Sequence, residues 1–196
     1  MAVILLFHHV LGRTSGILHL AEELKQAGHT LHTPDLFEGH TFETIDEGFA
    51  YVKEIGFETL MVRARQAAED LDPPVVYAGY SLGVMAAQQL AQTRADAAGA
   101  LFIASCAPAD EFGGPWPAKL PLQVHGMKED PFFADEGDLE AAREITETSD
   151  SGELFLYTGN QHFFADNSQP GYDSAATAQM IERILLFLER LDADKD

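Results

Sequence analysis

At 196 residues, the chain is long enough for one domain with a sizeable core. Its residues are 46% apolar and 22% charged, as in ordinary globular proteins, and no apolar run approaches the length of a membrane span. A formal charge of −20, with only 12 Lys and Arg spread along the chain, argues against binding nucleic acid or an anionic membrane through a general field, and the single Cys106 excludes an internal disulfide framework.

Short apolar runs alternate with helical periods. "AVILLF" (residues 2–7) reads as a strand buried on both faces; no basic segment precedes it, so a signal peptide is the weaker reading and a cytoplasmic location is expected. Ile17, Leu20, Ala21, Leu24 and Ala27 form a helical stripe, with Gly28 where a helix stops. "HTLHTP" (29–34) is a short second strand. Two helices follow, one carrying Ile45, Phe49 and Val52, the other Phe57, Leu60, Met61, Ala64, Ala68 and Leu71; Pro73-Pro74 ends the second. "VVYAGY" (75–80) is the third strand, 82–93 a helix, "AGALFIAS" (98–105) the fourth strand and "LPLQVHG" (120–126) the fifth. Leu139, Ala142 and Ile145 mark a helix, "ELFLYTG" (153–159) the sixth strand, and Thr177 to Leu191 a long amphipathic helix.

This alternation predicts a single three-layer α/β domain over 1–196. Its sheet has about six mostly parallel strands in the order 2-1-3-4-5-6, with helices on both faces and no separate lid domain. In such sheets ligands bind beyond the carboxyl ends of the strands, so residues just after each strand carry the functional question.

Gly79-Tyr80-Ser81-Leu82-Gly83 has the form G-x-S-x-G between a strand and a helix. A serine there sits on a tight turn with its hydroxyl raised above the sheet, beside the Leu82 amide at a helix N-terminus. The plainer alternative is a serine that merely caps the helix. A serine hydroxyl needs a base, and the base needs a partner that holds its tautomer. His162, after the last strand and before the last helix, is the candidate base. His125 lies within a strand, His19 and His29 in or beside an early helix, and His8 and His9 come too early in the chain order Ser, Asp, His. Asp130, after the fifth strand, is the candidate acid, with Glu129 and Asp135 also open. The loop after the first strand, "HHVLGRTSG" (8–16), is placed to give a second oxyanion donor from His9 or Val10.

These residues resemble the dienelactone hydrolase family of the α/β-hydrolase superfamily. The resemblance covers nearly the whole chain and rests on "HHVLG", "PDLF", "GYSLG", "HGMKEDPF" and "GNQHFFAD". It implies a triad of Ser81, Asp130 and His162, and oxyanion amides on Val10 and Leu82; the aspartate-x-phenylalanine pattern selects Asp130 over Glu129. Two positions depart from it. Members that act on dienelactone carry cysteine where this chain has Ser81, and glutamate where it has His9. No arginine matches those expected to hold a substrate carboxylate. The family name therefore does not name the substrate.

The expectation is a serine hydrolase, needing no cofactor or metal, that cleaves a small-molecule ester, lactone or thioester through an acyl-enzyme on Ser81. It would work as a monomer or homodimer. His9, Trp116, Phe132 and Phe163 are the candidate substrate-binding residues, with Phe112 and Phe133 as further loop aromatics; Arg13 reads as an exposed helix start rather than as a cation at the site. The alternatives are a non-catalytic ligand-binding or regulatory module on the same fold, and an acyltransferase or perhydrolase using the same triad. Cys106 reads as a small buried side chain rather than a thiol nucleophile.

Overall fold

The computed structural model describes residues 1–193. Six strands form one parallel sheet in the order β2-β1-β3-β4-β5-β6: β1 Val3–Phe7, β2 Thr30–His32, β3 Val75–Tyr80, β4 Ala97–Ile103, β5 Leu122–Met127 and β6 Gly152–Tyr157. Seven α-helices connect or follow them: α1 Ser15–Gln26, α2 Ile45–Ile55, α3 Phe57–Glu69, α4 Leu82–Thr93, α5 Pro131–Ala134, α6 Asp138–Thr148 and α7 Ser174–Ala193. The short α5 was not expected from the sequence. No helix among the described residues is long and apolar enough to cross a membrane.

The central strands read as largely apolar runs because both sheet faces are covered there; the edge strands β2 and β6 are only partly buried. Leu5, Phe7, Val75, Tyr77, Ala100 and Phe102 project to one side, against Leu60, Met61 and Ala64 of α3 and Val84, Ala87 and Leu90 of α4. Ile4, Leu6, Val76, Ala78, Leu101 and Ile103 project to the other, against Ile17, Leu20 and Leu24 of α1 and Met180, Ile184 and Phe187 of α7. Period-two alternation thus feeds two cores. Each fully buried Leu, Ile or Phe contributes roughly 1.5–3 kcal/mol through removal of apolar surface from water.

One stripe differs from its expectation. In α2, Val52 is buried but Phe49 is 49% exposed, and Phe57 at the start of α3 is 44% exposed. The helical spacing of Ile45, Phe49 and Val52 is real, but it divides between the interior and a cavity above the sheet. Gly48 of the same helix is buried because α2 lies on the β1–α1 loop: a Cβ there would stand 2.2 Å from the Val10 carbonyl oxygen. A capping box fixes where α2 starts, with the Glu47 amide donating to Thr44 Oγ1 at 3.3 Å and the Thr44 amide to Glu47 Oε2 at 3.1 Å.

Candidate active site

The turn between β3 and α4 explains both glycines of G-x-S-x-G. A Cβ on Gly79 would stand 2.4 Å from the Gly83 carbonyl oxygen, and one on Gly83 would stand 2.4 Å from that of Phe7. The glycines therefore let the turn close on itself and let α4 close on β1. Between them, Ser81 has φ 50 and ψ −118, a costly conformation for a residue with a side chain. The Ser81 amide donates to the Ile103 carbonyl at 2.8 Å, tying the strained turn to β4. Its hydroxyl makes no capping bond to α4. It lies instead 2.7 Å from His162 Nε2.

His162 is held at its ring and at its backbone, and the loop bearing Asp130 is fixed beside it. Asp130 Oδ2 lies 2.7 Å from its Nδ1. The Tyr80 hydroxyl donates to the His162 carbonyl at 3.0 Å and accepts from the Ala165 amide at 3.1 Å. The strand ends beneath it are zipped together, with the Lys128 amide donating to the Tyr157 carbonyl at 2.8 Å and that of Glu129 to Gly159 at 2.9 Å. This zip sets residue 130 beside the 160s loop. Asp130 also caps α5: its Oδ1 accepts from the Phe132 amide at 3.0 Å, and Pro131 occupies the first helical position, where a missing N–H costs nothing. One carboxylate oxygen thus fixes the backbone while the other faces histidine. Asp130 is fully buried, whereas Glu129 and Asp135 are exposed.

A cavity of about 420 Å3 opens over Ser81. Val10, Leu82 and His162 line it beside the serine, with Ile45, Phe49, Met85 and Phe132 as apolar walls and Asp46, Glu136 and Asp138 as carboxylates; no Lys or Arg among the described residues takes part. Val10 and Leu82 thus line the same cavity as Ser81, and Leu82 opens α4, where an N–H has no partner within the helix. Burial raises the Asp138 carboxyl above the usual range, although Ser105 Oγ donates to it at 2.6 Å and the Cys106 amide at 3.2 Å. A second cavity of about 310 Å3 shares Ile45, Phe132 and His162 and continues to Asn160, Gln161, Phe163 and Gln169.

Several residues lie elsewhere than expected. Trp116 is not at the cavity; it is 3% exposed, packs edge-on against Phe102 and donates its indole N–H to the Leu120 carbonyl at 3.0 Å. His9 is fully buried beneath the site rather than in it, because its ring is drawn inward to Asp166. Phe163 borders only the second cavity, Phe133 is buried against Gly126, and Phe112 packs on the core. Arg13 turns away to the Thr33 carbonyl and Asp35. Cys106 is fully buried, and that burial pushes its thiol well above the usual range, so it offers no thiolate. The sequence reading missed Ile45, Phe49 and Met85 as cavity walls, and Asp166 altogether.

The neighbouring histidine pins the same loop from its other side. His8 donates from Nδ1 to the His9 carbonyl at 2.8 Å and accepts at Nε2 from the Leu36 amide at 3.1 Å. Burial lowers its pKa to about 4, so it stays neutral and its acceptor nitrogen stays available. Leu36 belongs to "PDLF", where Asp35 accepts from the amides of Phe37 and Gly39. Among the described residues, no group of three or more His, Cys, Asp or Glu is arranged to hold a metal ion.

Comparison with solved structures places this fold among α/β-hydrolases. A dienelactone hydrolase from Anabaena variabilis superposes with a TM-score of 0.67 at 20% identity, covering 96% of this chain and 86% of that one. A dienelactone hydrolase-like promiscuous phosphotriesterase from metagenomic libraries gives 0.70 at 17%, covering 97% and 87%. The mouse alpha/beta hydrolase domain-containing protein 10 gives 0.71 at 13%, covering 97% and 90%. At these identities the likeness is one of fold. No curated protein matches the chain in sequence. The model of the Dienelactone hydrolase family, however, matches residues 1–191, and by that match the chain belongs to this family.

Proposed function

We propose that the protein is a serine hydrolase that cleaves a carboxylic ester, lactone or thioester through an acyl-enzyme on Ser81. The observation that carries this reading is the chain of contacts from Ser81 Oγ to His162 Nε2 and from His162 Nδ1 to Asp130 Oδ2, each 2.7 Å, at the floor of a cavity. In the proposed reaction His162 takes the serine proton as Oγ attacks the carbonyl carbon. The amides of Val10 and Leu82 stabilise the oxyanion, one such donor being worth ~2.7–4 kcal/mol. The tetrahedral intermediate collapses as His162 Nε2 returns the proton to the leaving oxygen or sulfur. Water, deprotonated by His162, then attacks the acyl-enzyme and releases the acid and free Ser81. Buried Asp130 keeps the imidazole in the required tautomer and balances its charge.

The cavity also informs the substrate. Its walls are apolar, and among the described residues its acidic lining groups, Asp46, Glu136 and Asp138, face no Lys or Arg. A substrate carboxylate, as on a dienelactone, would meet repulsion without a compensating cation. We infer a neutral or cationic ester with its acyl group over Ser81 and its leaving group toward the amide-lined second cavity. Because that cavity borders His162, an alcohol held there is also an acceptor, which keeps acyl transfer as the second reading.

The test is fluorophosphonate labelling followed by peptide mass spectrometry, then a screen of neutral, cationic and anionic esters. The expected result is an adduct on Ser81 that His162→Ala prevents, with anionic esters turned over most slowly. A folded protein that takes up no probe and cleaves no ester would overturn the hydrolase reading in favour of a binding module. Product analysis with added alcohols separates hydrolysis from transfer.

A further inference from the structure

Beneath the site lies a second histidine–aspartate pair that the proposed reaction does not use. His9 Nε2 lies 2.8 Å from Asp166 Oδ2, and both side chains are fully buried. The other ring nitrogen settles the tautomer: the Leu11 amide lies 3.3 Å from His9 Nδ1, so Nδ1 accepts and Nε2 carries the proton that is donated to Asp166. The carboxylate is saturated by its neighbours. Thr14 Oγ1 donates to Oδ2 at 2.5 Å, and the amide and hydroxyl of Ser168 donate to Oδ1 at 2.8 and 2.6 Å. Burial alone would raise this carboxyl, but these donors outweigh it and hold its pKa down to about 2. Backbone has been shaped to admit it, since a Cβ on Gly16 would stand 1.6 Å from Oδ1.

The two ends of this pair belong to the two loops that carry the reacting groups. His9 immediately precedes Val10, and Asp166 follows His162 by four residues. Phe163 lies between the rings, with centroids 4.6 Å from His9 and 5.0 Å from His162. Two apolar side chains could fill the same space without the cost of desolvating a carboxylate and an imidazole. What they could not do is fix direction: the His9 ring holds its own loop at Nδ1 and the base-bearing loop at Nε2.

We propose that His9 and Asp166 form a positioning dyad that holds the Val10 amide in register with Ser81 and His162. The kinetic consequence rests on the hydrolase reading; the structural claim does not. A misplacement of about 1 Å in such a constellation costs on the order of a hundredfold in rate, so a relaxed loop should cost ~10–100-fold.

The test compares His9→Asn with His9→Gln. Asn can still accept from the Leu11 amide but is too short to reach Asp166, whereas Gln carries an N–H toward the place of Nε2. Hydrogen–deuterium exchange should show peptides over 8–14 and 160–168 losing protection together in His9→Asn and regaining it in His9→Gln, while the β3 peptide is unchanged. Per site titrated with fluorophosphonate, kcat should fall ~10–100-fold in His9→Asn with KM within about threefold, and His9→Gln should recover most of the loss. Loosening of one loop only, loosening of the whole molecule alike, or full kcat per titrated site in His9→Asn would overturn the dyad. Asp166→Asn supplies the same readouts if the His9 variants do not fold. If the wild-type protein itself takes up no probe, the hydrolase reading fails, and the exchange data still decide whether the two loops are clamped.

Discussion

Two histidine–aspartate pairs stand one above the other in this fold, with nearly equal contacts of 2.7 Å for His162–Asp130 and 2.8 Å for His9–Asp166. They differ in which nitrogen faces the acid and what the other nitrogen meets. His162 gives Nδ1 to Asp130 and leaves Nε2 on a serine at the cavity floor. His9 gives Nε2 to Asp166 and closes Nδ1 on the backbone. The first ring can exchange a proton with something that arrives; the second has nowhere to pass one. Burial lowers the pKa of His9, keeping it neutral beneath a ring proposed to become cationic, where a second charge would oppose that step. In the proposed reaction the same two residue types serve as base or as brace according to orientation and access.

The comparison can be broken most sharply at the serine. Ser81→Ala should lower kcat/KM for any ester substrate by at least ~10^4-fold with the melting temperature little changed; turnover near the wild-type rate would sink the mechanism. The two acids should then separate. Asp130→Asn is expected to reduce kcat ~10^3–10^4-fold, because the wrong tautomer faces the serine. Asp166→Asn should reduce it only ~10–100-fold. Equal losses, measured per titrated site, would erase the distinction between base partner and brace.

A smaller effect concerns acid stability. Burial depresses His8 to about 4 and His125 to about 3. Below the ordinary histidine value near ~6.5, the unfolded chain takes up protons that the native state refuses. These groups therefore leave stability intact above about pH 6.5 and erode it as pH falls toward about 4 for His8 and about 3 for His125. Urea midpoints at pH 7, 5.5 and 4.5 should fall in that order; a flat series would refute the neutral, buried assignment. The smallest effect belongs to Trp116→Phe, which removes one buried hydrogen bond worth about 1 kcal/mol and should leave KM unchanged. A raised KM would return Trp116 to the cavity wall.

Most of the sheet was legible because the central strands β1, β3, β4 and β5 are buried on both faces and read as largely apolar runs, whereas the edge strands β2 and β6 are only partly buried. Its boundaries moved by a few residues where the chain leaves the sheet for the site; β4 ends at Ile103, and Ala104 has φ 56 and lines the cavity. Ser81, His162 and Asp130 were legible because each follows a strand end. Asp166 was not, although it closes the quoted stretch "GNQHFFAD", because its partners Thr14 and His9 are about 150 residues away and follow no local period. Trp116 was misplaced for a related reason. A loop aromatic takes its role from whatever packs over it, and here that is Phe102 within the sheet. Phe49 shared a helical stripe with Val52, and spacing alone does not tell a core from a cavity wall.

The close seat of Gly48 on Val10 has a consequence for how this enzyme class can vary. Helix α2 presents Ile45 and Phe49 to the cavity while Gly48, between them in sequence, rests on the loop that carries Val10. One element therefore sets the width of the cavity proposed to take the acyl group and also bears on the amide proposed to receive the oxyanion. On the proposed reaction, substitutions that tilt α2 to admit a bulkier acyl chain will shift that amide too, so that breadth of substrate and speed of turnover are inherited together.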